Sequence, residues 1–98
     1  MIRELRIYSY FSLPTDLAAE MRDWPEFVRG EDYSVELHNH ATHETVTVGL
    51  GEEEEDRFVR IHSPAADSLF DRVTGRVIYA LSQHSDNLMV ERHATNVA

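Results

Sequence analysis

Three consecutive stretches of this chain alternate apolar and polar residues with a period of two, and that alternation limits the folds open to it. From Tyr33 to His40, Tyr33, Val35 and Leu37 fall on one side, with Ser34, Glu36, His38 and His40 on the other. From Glu44 to Leu50, Val46, Val48 and Leu50 alternate with Thr45 and Thr47. From Arg57 to His62, Val59 and Ile61 share the apolar side. Neighbouring side chains of a strand point to opposite faces, so each stretch reads as a strand with one aliphatic and one polar face. Short connections at Ala41–His43 and at Gly51 with the acidic run Glu52–Asp56 make the three an antiparallel meander.

The flanks add a strand, a helix, a second helix and a last strand. Ile2 to Phe11 alternates as well, with Leu5, Ile7 and Phe11 opposite Arg6, Tyr8 and Tyr10. Ser12 to Asp16 supplies cap and first-turn residues, and Leu17, Ala18, Met21 and Trp24 then recur at helical spacing until Pro25. Gly30 to Asp32 reads as a turn. Ser63-Pro64 predicts a helix start, followed by an apolar stripe of Ala66, Leu69, Phe70, Val73, Val77, Ala80, Leu81 and His84. Gly75 is a weak point within it. Ser85 to Asn87 is a turn, and Leu88 to His93 a short final strand. The order is β-α-β-β-β-α-β: an α+β, two-layer sandwich, mainly antiparallel, with both helices on the aliphatic face. It resembles a ferredoxin-like plait with one extra strand. Ninety-eight residues suit a single domain spanning 1–98.

Charge narrows the function. The chain has 18 acidic residues against 9 Arg and no Lys, for a net charge of −9. Phosphate backbones demand a basic surface, so nucleic acid is excluded as an electrostatic partner, and anionic membrane likewise. No apolar run reaches membrane-spanning length, and the charged start Met1–Ile7 is unlike a secretory signal. Without Cys there is no disulfide, thiolate metal site or Cys nucleophile, and the expected location is cytoplasmic. The acidity is also uneven: residues 16–56 hold thirteen acids and two Arg, while the remainder is +2. Codon bias or adaptation to high salt would explain the lack of Lys without any acidic interface.

With helices on the aliphatic side, the opposite side of the sheet carries Arg6, Tyr8, Tyr10, His38, His40, Arg60 and His62 as candidate binding residues. Amphipathic side chains of this kind anchor interfaces, although Tyr is also simply a good strand former. His38, His40 and His43 form the one local cluster with metal-ligand character, and zinc is the metal such imidazoles suit; His62 could join from a neighbouring strand. His-x-His alone is a weak signal, so the expectation is no cofactor. No Gly-x-Ser-x-Gly or comparable nucleophile motif is present, which disfavours covalent catalysis. The leading reading is an interaction or regulatory module rather than an enzyme. It would bind a protein partner, or itself as a homodimer, through the Tyr/His/Arg face or the acidic 16–56 segment. The competing reading is a small ligand- or metal-binding domain centred on His38, His40 and His62.

Overall fold

The computed structural model describes residues 2–8, 15–31, 34–53, 56–64, 68–83 and 87–95. Their elements run β1 (Ile2–Tyr8), α1 (Thr15–Arg22), β2 (Phe27–Glu31), β3 (Ser34–Asn39), β4 (Glu44–Glu53), β5 (Asp56–Ser63), α2 (Ser68–Ser82) and β6 (Met89–Thr95). All six strands join one antiparallel sheet in the order β2-β3-β4-β5-β1-β6. The α+β class, the antiparallel sheet and the two helices agree with the sequence. β1 is antiparallel to both β5 and β6, so β5 and β6 run parallel to each other with β1 between them. Helix α2 is therefore the crossover of a split β-α-β unit.

The aliphatic face is where the alternation puts it. Leu5, Ile7, Val35, Leu37, Val46, Val48, Val59 and Ile61 are buried in one cluster with Leu17 and Met21 of α1 and Leu69, Phe70, Val73, Val77 and Leu81 of α2. Helix α1 has only eight residues. A helix that short is marginal in water, so the burial of Leu17 and Met21 is what holds it in place.

Three sequence expectations need correction. The expected turn at Gly30–Asp32 begins too early, because Phe27–Glu31 is a sixth strand that includes Gly30. A register shift between Phe27 and Arg29 breaks its period, which hides the strand from an alternation test. The expected loop at Gly51 also begins too early: Gly51, Glu52 and Glu53 continue β4, and Glu53 pairs with Asp56 across the hairpin. Finally, Ser63-Pro64 does not open the helix. Ser63 is buried at the end of β5, and its hydroxyl donates to the carbonyl of Thr45 at 3.0 Å. The cap comes from far away in sequence instead: the amide of Leu69 donates to the carboxylate of Glu44 at 3.0 Å. A carboxylate there also suits the positive end of the helix dipole. Tyr10, Phe11, Ala66 and His84 lie outside the described residues.

Gly75 sits inside α2 without positive φ, and a Cβ built there meets nothing within 4 Å. Ala costs less backbone entropy to fix in a helix than Gly. Gly75→Ala is therefore expected to stabilise the fold by about 1 kcal/mol, raising the melting temperature by roughly 4–8 °C. A melt unchanged or lowered would show that the helix needs Gly for something else.

Candidate interaction face

Odd-numbered residues of β1 go into the core, so Glu4, Arg6 and Tyr8 stand on the face that the helices leave uncovered. Register then assembles rows across the sheet. Glu36 of β3, Thr47 of β4, His62 of β5, Glu4 of β1 and His93 of β6 lie side by side. The next rows bring Gly49, Arg60, Arg6 and Glu91 together, then Gly51, Phe58, Tyr8 and Met89.

The centre of this face is built around one ring. Phe58 is only 6% exposed although no helix covers it. Its ring lies over Gly51, where a Cβ would come within 2.2 Å of the ring. The guanidinium of Arg6 covers the ring at 4.6 Å from its centroid, and the Tyr8 ring stands beside it at 5.4 Å with a 53° tilt. Beside Tyr8, Met89 is 60% exposed. An aromatic pair under a cation, flanked by Met, is a secondary apolar cluster on the side of the sheet expected to be wet.

Arg6 is held over the ring from behind. Its Nε donates to Glu4 at 2.6 Å, and Arg60 Nε donates to the other oxygen of the same carboxylate. Glu4 is largely buried between them. Burial alone would raise its pKa, but the hydrogen bonds and charges of Arg6 and Arg60 outweigh it and hold the carboxyl below the ordinary carboxylate range. Glu36 is similarly lowered, first by the hydrogen bond with His38 at 2.9 Å and then by that from Arg29 at 2.5 Å. Carboxylates thus answer Arg6, Arg29 and Arg60, so this face is not the cationic surface its Arg and His content suggested.

The candidate residues are distributed unevenly. Arg6, Tyr8 and Arg60 come together around Glu4 and Phe58, and His62 stands in the adjoining row beside Glu4. His38 is on the same face, but β4 separates β3 from the β5 strand carrying His62. His40 is not on the strand: β3 ends at Asn39, and His40 to His43 are exposed turn residues, His43 with φ 62°. The Asn39 side chain closes that turn by accepting from the amides of Ala41 at 2.9 Å and Thr42 at 3.3 Å. Among the described residues, no three His, Asp or Glu side chains are grouped to hold a metal ion. Tyr10 lies outside them. Glu4, Phe58, Met89, Glu91 and His93 belong to the face but were missed; parity with Arg6 and Arg60 was the signal available for Glu4 and Phe58.

The chain matches no family model, no curated protein and no solved structure. The geometry is therefore the whole basis for a functional reading. Parts of the acidic 16–56 segment have structural duties: Glu44 caps α2, and Glu36 binds Arg29 and His38. Glu26 accepts from Arg76 at 3.1 Å, while Arg76 also stacks 5.1 Å from the centroid of Trp24. Burial would raise the Glu26 pKa, but the hydrogen bond from Arg76 helps to carry it below the ordinary range. Among the described residues, no helix is long and apolar enough to cross a membrane.

Proposed function

We propose that this chain is a protein-interaction module whose working surface is the helix-free face of the sheet, centred on Arg6, Tyr8, Phe58 and Met89. The observation that carries this reading is the apolar and aromatic cluster on the face that no helix covers, with Met89 60% exposed at its margin. Interface cores favour Tyr, Phe, Met and Arg and are poor in Lys and Glu, and this cluster has that composition. The Glu4 carboxylate orients Arg6 and Arg60, so a partner meets side chains whose geometry is already fixed. The acidic segment becomes the weaker candidate, because Glu26, Glu36 and Glu44 are engaged within the chain. The His-centred ligand site is weaker still, since His38, His40 and His62 do not face a common point. As to architecture, removing β2 and β3 leaves β4-β5-β1-β6, and we read the sheet as a ferredoxin-like plait of one domain, extended by a hairpin at one edge.

Site-specific photocrosslinking in the living source cell tests the surface. A photoreactive side chain at Met89 is expected to give a defined protein adduct. The same group at Tyr79, which is 70% exposed on α2, is expected to give none. Equal adducts at both positions, or none at Met89, would overturn the reading.

A further inference from the structure

The two edges of the sheet differ in a way that points to a second copy of the chain. β2, at one edge, has five residues and a register shift between Phe27 and Arg29. Short, bulged edges resist pairing with other strands. β6, at the other edge, has seven residues, Met89–Thr95, in unbroken register with β1 from Ile2↔Thr95 to Tyr8↔Met89. It contains no Pro and no Lys. Among the described residues no strand pairs with its outer side, and it presents exposed apolar residues to both faces, Met89 at 60% and Val90 at 42%. Regular backbone with exposed apolar side chains is a template for strand addition.

We infer that two copies of this chain pair antiparallel through β6, making one continuous twelve-stranded sheet. The sequence of β6 suits its own reverse. Full overlap of Met89–Thr95 with itself puts the two-fold axis at Arg92. It sets Glu91 opposite the partner's His93 and Val90 opposite the partner's Ala94, each twice. Glu91 and His93 stand on the helix-free face and already hydrogen-bond to each other within one chain, so pairing extends a Glu-His couple into a row of four. Val90 faces the helix side, where Ala94 of the second copy would shield it. Arg92 meets its own copy at the axis; it is exposed, and its long side chain can turn aside. A single strand pair buries little area, so the dimer is weak, with dissociation in the micromolar range. The pairing is independent of the open-face reading, although it would lay two such faces side by side.

Sedimentation equilibrium of the full chain, from low micromolar to near millimolar, tests this with three variants. The unmodified chain is expected to dimerise reversibly. Val90→Lys should weaken the dimer at least about tenfold, because it sets a charge against the partner's apolar edge. His93→Glu should weaken it by opposing two carboxylates, and the interchange Glu91→His with His93→Glu should restore it. Tyr8→Ala should leave it unchanged. A chain that stays monomeric throughout overturns the inference and leaves the open-face proposal standing. Dimerisation lost in Tyr8→Ala but kept in Val90→Lys also overturns it, assigning self-association to the open face. Should Val90→Lys fail to fold, hydrogen exchange of the unmodified chain decides. β6 amides whose protection rises with concentration support the edge pairing, and concentration-independent exchange refutes it.

Discussion

Glu4→Gln is expected to destabilise the fold by about 2 kcal/mol, the largest effect of any single polar substitution on the sheet face. The carboxylate is 11% exposed and accepts charge-assisted hydrogen bonds from Arg6 and Arg60, at opposite oxygens. A hydrogen bond to a charged group contributes about 1.5–3 kcal/mol, and removing one partner of a buried pair costs about 3–5 kcal/mol. Arg60 is 49% exposed and regains water when released, which argues for the lower part of that range. Gln keeps one acceptor, but it no longer neutralises two neighbouring guanidinium groups. The loss should appear in a denaturant midpoint with the slope unchanged.

The same substitution has a pH signature. Glu4 titrates below the ordinary carboxylate range in the folded chain. A depressed folded pKa stabilises at pH values above the unfolded one, near 4.3, and that contribution is lost as pH falls through the folded value. The gap between the unmodified chain and Glu4→Gln should therefore be full at neutral pH and shrink below about pH 4. A gap that stays constant down to the acid transition would mean that the two Arg do not hold Glu4 ionised. Glu36 is lowered in the same direction. Its partner Arg29 is 73% exposed, so Glu36→Gln should cost well under 1 kcal/mol.

What the sequence disclosed follows from which forces are local. Alternation in β1, β3, β4 and β5 and the apolar stripe of α2 are local periodicities, and they located Leu5, Ile7, Leu37, Val48, Ile61, Val73 and Val77 in the core. β2 escaped because its bulge resets the phase and Gly30 reads as a breaker. The α2 cap escaped because Glu44 and Leu69 meet only once β4 is beside the helix; a local Ser-Pro pair is a good start signal but lost to a tertiary one. The face was legible as a grouping, but not as chemistry. Arg6 and Arg60 looked like free cations until pairing placed Glu4 between them, and Phe58 looked like any apolar residue on the polar side. Its burial depends on Gly51 from another strand, a pairing that no local pattern reveals.

That dependence predicts the largest loss on this face. Phe58→Ala should cost about 3 kcal/mol, the lower end for a buried Phe, because only one side of the ring is roofed. Burial at 6% exposure, the Arg6 contact and the Tyr8 contact would all go. Gly51→Ala attacks the same contact from below. The new methyl would stand 2.2 Å from one ring carbon and 2.5 Å from another, so the ring must swing outward and lose its place under Arg6. Such overpacking costs about 1–3 kcal/mol, against which Ala gains about 0.5–1 kcal/mol over Gly in strand entropy. The net expectation is a loss of about 1 kcal/mol from Gly51→Ala alone. In the Phe58→Ala background the clash has no partner, so Gly51→Ala should become neutral or stabilising. A double-mutant cycle by urea unfolding reads this as a coupling of about 1–2 kcal/mol. Additive effects would mean that Phe58 does not rest on Gly51, and the cluster that orders Arg6 and Tyr8 for a partner would lose its floor.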